Sequence, residues 1–115
     1  MTGHEGYIGG NFVKEWVKRG HDYVGYDMAS NHEFDLSKRV KELYINHKNK
    51  PIDVVVHFAA IPRVAFSVEQ PVYVMNNNVI STTRILNWAK KENIPVIYSS
   101  SSSVVGNGDG PASPY

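Results

Sequence analysis

The chain has 115 residues, one domain's worth at most, and 42% of them are hydrophobic, enough for a packed core and too much for disorder. Its formal net charge is +1 and its basic residues are scattered, so no strong field calls for nucleic acid or an acidic membrane. There is no cysteine, no paired metal-ligand spacing among the five histidines, no apolar run of membrane length and no visible signal peptide; disulfides, thiolate chemistry and Cys-ligated metals are excluded, and a soluble cytoplasmic protein is the expectation.

The chain opens Met1-Thr2-Gly3-His4-Glu5-Gly6-Tyr7-Ile8-Gly9, a turn of the form T-G-x-x-G-x-x-G. Such a turn suits a dinucleotide pyrophosphate. Gly3 takes the angles of a tight turn, Gly6 puts no side chain in the way of the phosphates, and Gly9 lets the helix lie against a sheet. The open N–H groups and dipole of the helix start face the anion. Alone, the pattern fits an ordinary strand-to-helix loop equally well.

Residues 8–19 carry Ile8, Phe12, Val13, Trp16 and Val17 on one helical stripe, closed by Gly20. Residues 22–27 read as a short strand, and 28–34 as polar loop with a brief strand possible at His32-Glu33-Phe34. Asp35 opens a second helix, with Leu36, Val40, Leu43, Tyr44 and His47 on one face and Pro51 as its stop. The apolar run from Ile52 to Ala59 predicts a strand buried on both faces. After a loop, Ser67 and Gln70 have the form of a capping box for a third helix. That helix carries Val72, Met75, Val79, Thr82, Leu86 and Ala89 on one side, has Lys90 and Lys91 at its C-terminal dipole, and ends at Asn93 and Pro95. Residues 95–100 predict another buried strand, after which Ser, Gly, Pro and Asn dominate to Tyr115. Strands alternating with helices predict an α/β fold: a Rossmann-type parallel sheet with helices on both faces.

A dinucleotide fold wants an acid about 20 residues past the glycine turn, at the end of the second strand, to accept hydrogen bonds from the adenosine ribose. Asp27 stands there, and an acid at that point disfavours a 2′-phosphate, so NAD is expected rather than NADP.

Taken in order, Thr2-Gly3-His4-Glu5-Gly6-Tyr7-Ile8-Gly9, Asp27, Asp35-Leu36, His57-Phe58-Ala59-Ala60, Asn78-Val79, Ser99 to Val104, Gly106 and Ser113-Pro114-Tyr115 resemble the extended short-chain dehydrogenase/reductase family. Within it they are most similar to the NAD-dependent sugar-nucleotide epimerases and dehydratases of the UDP-glucose 4-epimerase type. The resemblance implies a cofactor site drawn from Gly3, Gly6, Tyr7, Ile8, Gly9, Asp27, Leu36, Phe58 and Ser99. Asp35 matches an acid that contacts the adenine, though its context fits a helix N-cap as well. Ala59 and Ala60 match a small pair lining the cofactor groove. Asn78 matches an asparagine that steadies the turn near the catalytic tyrosine, with a polar helix flank as the alternative. His57 is read as a packed core histidine rather than a base.

The resemblance also makes Ser101 the catalytic serine, within one residue of register in the five-serine run, and Tyr115 the catalytic tyrosine. In the family this tyrosine takes a proton from a sugar hydroxyl, and a lysine four residues later lowers its pKa. The chain departs from the pattern at Arg63, where a lysine is usual near Pro62, at Val105 for a tyrosine, and at Ser81 for a glycine. The family's first strand precedes the glycine turn, and its catalytic lysine and sugar-nucleotide half follow the tyrosine. Residues 1–115 are therefore expected to be a partial NAD-binding domain, inactive alone, whose substrate in a complete protein is a nucleotide sugar. The family pairs the third helix across a dimer, so a homodimer or a complementing C-terminal segment is the expected partner, with no nucleic acid and no membrane. A deoxysugar-nucleotide reductase of the same superfamily and a non-catalytic binding module are the alternatives.

Overall fold

The structure is a computed structural model that describes residues 1–30, 35–38 and 51–105. The second helix beyond Lys38, the brief strand at 32–34, Gly106 and Tyr115 lie outside the described residues. The elements are α1 (Tyr7–Lys18), β1 (Val55–His57), α2 (Val64–Glu69), α3 (Pro71–Met75), a π-helical stretch (Asn76–Ile80), α4 (Ser81–Glu92), β2 (Val96–Tyr98) and a 3₁₀ turn (Ser102–Val105).

All strand pairing among the described residues is parallel. β1 pairs with β2 in the register Val55 to Val96, Val56 to Ile97 and His57 to Tyr98. On its other side Thr2 bridges to His57, and across itself to Tyr26. The spatial order is therefore Tyr26, Thr2, β1, β2. The central position that was expected to be vacant keeps its last rung. Thr2 donates its N–H to the Val56 carbonyl at 2.9 Å and accepts from Phe58 at 3.1 Å, while Gly3 and Met1 exchange bonds with Tyr26 at 3.0 and 2.9 Å. Residues 21–25 form no ladder, and β1 is shorter than the expected 52–59 strand, because a ladder persists only where a neighbouring strand supplies its partners.

The core gathers Tyr26, Leu36, Val55, Ile85, Trp88 and Ala89. Val55 thus packs against α4, whereas Phe58, of opposite parity along the chain, meets Phe12 of α1 edge-on at 5.3 Å. Alternation along the strand puts α1 and α4 on opposite faces of the sheet, as expected of this architecture.

α1 ends as its sequence indicates. Gly20 has φ +82, and backbone bonds run from Gly20 to the Val17 carbonyl and from His21 to that of Trp16. Asn93 closes α4 in the left-handed conformation, φ 56, with Ile94 donating back to Ala89, a cap that asparagine tolerates without glycine.

Three expectations fail. Ser67 is no cap: it lies inside α2 with its hydroxyl bonded to the Val64 carbonyl, and the next helix starts instead with Pro71 in the first position behind Gln70. The stripe assigned to one side of the third helix is divided. Val74, Ser81, Ile85, Trp88 and Ala89 are buried, while Val72, Met75, Val79 and Leu86 are exposed, so this helix is apolar on two faces. β2 is not buried either; Ile97 and Tyr98 are each 59% exposed, since among the described residues no element covers the edge strand.

Candidate cofactor site

A cavity of about 270 Å³ runs from the start of α1 to the loop after β1. Gly3 and Gly6 form its floor, Asp27 and Leu36 one wall, Ala59 and Ala60 the other.

The glycines are required by contact. Gly3 has φ +67, and a Cβ there would stand 2.6 Å from the Ala59 nitrogen, so only glycine lets the turn pass the end of β1. A Cβ on Gly9 would lie 2.1 Å from the Gly3 carbonyl oxygen. Gly9 therefore lets α1 close on its own turn, rather than on the sheet as the sequence suggested. Gly6 is the N-cap, and α1 carries no side-chain cap and no acid in its first turn. Its leading N–H groups stay available to an anion arriving by the cavity. Tyr7 and Ile8 are 89% and 63% exposed and do not line the cavity.

Asp27 is fixed at the cavity edge by two backbone donors. Its Oδ2 accepts from the Glu5 N–H and its Oδ1 from that of Ala29, both at 3.0 Å. Each oxygen retains a lone pair for a hydroxyl in the cavity. Glu5 is itself tied to Ser30 by a hydrogen bond. Asp35 caps the turn it opens, its Oδ1 accepting from the Ser37 N–H at 3.0 Å, with Lys38 at 3.2 Å from its Oδ2. Burial works to raise the Asp35 pKa, but hydrogen bonds from Ser37 and Lys38 outweigh it and the carboxyl sits below its ordinary value. Leu36, not Asp35, reaches the cavity wall, and Arg84 of α4 holds this segment by bonding the Leu36 and Ser37 carbonyls. The sequence reading did not single out Arg84.

The loop after β1 is held by Asn78. Its Oδ1 accepts from the Ile61 N–H at 2.8 Å and its Nδ2 donates to the Ile61 carbonyl at 3.0 Å. Asn78 thus clamps one peptide of the cavity wall, a role neither sequence reading anticipated. It sits in the π-helical stretch, whose wider turn adds a residue to the helix where the cavity meets it. Asn77 and Ser81 also line the cavity and were not foreseen as site residues. The available signal was spacing: positions 77, 78 and 81 share a helical face with buried Ile85.

His57 is a core histidine, as expected. Its Nδ1 lies 2.6 Å from Thr2 Oγ1 and its Nε2 2.9 Å from Thr82 Oγ1. Thr82 spends its only proton on the Asn78 carbonyl at 2.6 Å. His57 must therefore donate from Nε2, and Thr2 donates to Nδ1. Burial first, then the Met1 ammonium, pushes the His57 pKa down and keeps the ring neutral.

Ser99 extends the sheet, donating its N–H to the His57 carbonyl at 3.4 Å. The Ser101 hydroxyl caps the 3₁₀ turn, bonding Ser103 through Oγ at 3.1 Å and N–H at 3.2 Å. Neither serine lines the cavity. Tyr115 lies outside the described residues. No metal-ligand cluster is found among the described residues, and no helix there is long and apolar enough to cross a membrane.

A glycine turn beneath an uncapped helix start, an acid at the next strand end and two alanines opposite define a Rossmann-type dinucleotide-binding protein. The cavity fits such a ligand, because its floor excludes Cβ atoms and its donors are backbone N–H groups. More narrowly, the chain belongs to the NAD dependent epimerase/dehydratase family, whose sequence model matches residues 1–115. NAD is the cofactor of that family, in line with the reading of Asp27. The chain is 32% identical to the bifunctional protein GAL10 of Candida maltosa, over 93% of this chain and 83% of that one. It is likewise 32% identical to the UDP-glucose 4-epimerase of Dictyostelium discoideum, covering 93% of this chain but 37% of that enzyme. Among solved structures, a UDP-galactose 4-epimerase superposes with a TM-score of 0.74 at 34% identity, over 95% of this chain and 40% of the other. The UDP-glucose-4-epimerase of Stenotrophomonas maltophila, with bound NAD and formylated UDP-arabinopyranose, gives 0.82 at 26% identity, over 95% and 38%.

Proposed function

We propose that residues 1–115 are the NAD-binding part of a sugar-nucleotide epimerase or dehydratase. The observation that carries this reading is the cavity in which Gly3, Gly6, Asp27, Ala59 and Ala60 converge. The start of α1 would bind the pyrophosphate, Asp27 the adenosine ribose, and the alanine pair would leave room along β1. NAD, when bound, supplies reversible hydride acceptance. In the complete protein Ser101 would steady the sugar oxygen and Tyr115 would take its proton. The substrate would be a nucleotide sugar, as it is for the UDP-glucose 4-epimerase that the chain resembles. The exposed apolar face of Val72, Met75, Val79 and Leu86 supports pairing with a second copy or with a C-terminal segment. The 115-residue chain alone would not turn over, since the sugar half of the site is supplied by other residues; a cytoplasmic location belongs to the same reading.

Calorimetric titration tests the cofactor assignment. NAD should bind more tightly than NADP, because a 2′-phosphate would meet the Asp27 carboxylate. Equal affinity for the two would sink the ribose assignment.

A further inference from the structure

Ser81 lines the cofactor cavity and is 3% exposed, yet its hydroxyl has no hydrogen-bond partner among the described residues. The two hydroxyls that follow it are spent. Thr82 donates to the Asn78 carbonyl at 2.6 Å and Thr83 to the Val79 carbonyl at 2.8 Å, each four residues back. Ser81 makes no such bond to Asn77. It has no capping duty either, because the π-helical stretch runs into α4 through Ile80, which keeps helical angles, with no side-chain cap bond. A hydroxyl withdrawn from water with nothing to bond carries a cost in the free protein that a bound partner would remove.

Its place in the cavity follows from its helix. Arg84, three residues on, lies on the same face and donates to the Leu36 carbonyl at 3.2 Å. Ser81 therefore stands at the Leu36 end of the cavity. Asn78, three residues back, holds the Ile61 peptide, so Ala60 and Ile61 form the opposing wall there. With the pyrophosphate at the start of α1 and the ribose at Asp27, the base of a dinucleotide is carried past Asp27 to this end. Leu36, Ala60 and Ile61 offer apolar surface to the faces of a planar ring, and the ring's edge, with its nitrogens and amine, needs polar partners.

We propose that Ser81 is a binding residue for the base of the dinucleotide, its hydroxyl hydrogen bonding the edge of the purine at the Leu36 end of the cavity. The proposal rests on the dinucleotide reading of the cavity. It adds to that reading a contact made by this chain's own side chain, at a position where the glycine usual in the family could make none.

The test compares the 115-residue chain with its Ser81→Ala variant, titrated by calorimetry with NAD and with AMP. The variant should bind both about five- to twentyfold more weakly and by the same factor, since AMP retains the base. Without ligand its Tm should equal or exceed that of the parent, because a buried hydroxyl without a partner has been removed and alanine favours the helix. AMP analogues then locate the bond: one ring nitrogen at a time is replaced by carbon, or the amine is removed. For one of them the parent should bind as weakly as Ser81→Ala binds AMP, and the substitution should cost nothing further. Unchanged affinity in Ser81→Ala, weakening of NAD but not AMP, a lowered Tm in the free variant, or a full Ser81→Ala penalty with every analogue would each overturn the proposal. A parent chain that binds neither NAD nor AMP would remove the dinucleotide reading and this proposal together, whereas a parent that binds both with no Ser81→Ala effect would remove the proposal alone.

Discussion

Thr2 Oγ1 and His57 Nδ1 lie 2.6 Å apart in the core and join the glycine turn to the far wall of the cofactor cavity. The path continues through His57 Nε2 to Thr82, from Thr82 to the Asn78 carbonyl, and from the Asn78 side chain to Ile61. Removing its first member should be costly. Thr2→Val keeps the shape and deletes the donor, leaving a buried imidazole nitrogen without its partner. Urea unfolding should show a loss of about 1–3 kcal/mol, which Thr2→Ser largely restores. A Thr2→Val chain as stable as the parent would show that the network adds no stability.

Stability should fall as the solution is acidified, in two stages. Burial holds the Met1 ammonium pKa at about 6, below its ordinary 8.0. A depressed pKa means that the unfolded chain takes up protons first. The contribution is therefore fully present above pH 8 and is lost as pH falls toward 6, by about 3 kcal/mol. His57 is depressed in the same direction, so a further loss begins below its ordinary value near 6.5. Urea midpoints measured between pH 8.5 and 5 should decline throughout. Acetylating the amine should flatten the upper part and leave the share of the His57 part that comes from burial.

Gly9→Ala should be far more damaging than a glycine-to-alanine change inside a helix ordinarily is, because Gly9 is the buried residue of α1. The added methyl would stand 2.1 Å from the Gly3 carbonyl, which is backbone and cannot rotate away. Opening the turn to admit it should cost about 1–3 kcal/mol and disturb the N–H groups that face the cavity. Gly10→Ala is the control, since its nearest neighbour would be at 3.5 Å. Equal thermal stability and NAD affinity for the two variants would contradict the contact argument.

The parts legible in the sequence were those set by local chemistry. The glycine turn, the acid at Asp27, the Gly20 and Asn93 helix ends and the alanine pair all depend on backbone angles or side-chain size within a few residues. What escaped depended on partners far along the chain. The apolar run at 52–59 predicts a long, doubly buried strand, but its length is set by Thr2, which offers one rung. The third helix was given one apolar side because period alone cannot separate a core face from an open one. The bonds from Asn78 to the Ile61 peptide are not legible in the sequence, since nothing in its helix signals that partner. Ser67 looked like a cap until Pro71 claimed the helix start.

The exposed stripe on that helix predicts association. Val72, Met75, Val79 and Leu86 are 45–73% exposed along one face. Sedimentation of the chain should show concentration-dependent dimers or larger species, and Val79→Glu with Leu86→Glu should shift it to monomer without lowering its Tm. A compact monomer at high concentration would remove the support for pairing through this face.

Catalysis offers the final discrimination. Ser101 caps its own turn in this structure, and the chain spans 40% of the UDP-galactose 4-epimerase it resembles. Losing positioning and proton transfer together removes many powers of ten in rate, so the chain alone should not interconvert UDP-hexoses even with NAD present. Joined to downstream sequence from its own gene, or mixed with that segment as a separate polypeptide, it should gain epimerase or dehydratase activity. Tyr115→Phe in the joined form should then abolish turnover while leaving NAD affinity within about twofold, as the role proposed for the phenol on the sugar proton requires. If Tyr115→Phe weakened NAD binding as much as turnover, the tyrosine would be part of the cofactor site. Turnover by residues 1–115 on their own would show that the site is already complete within them.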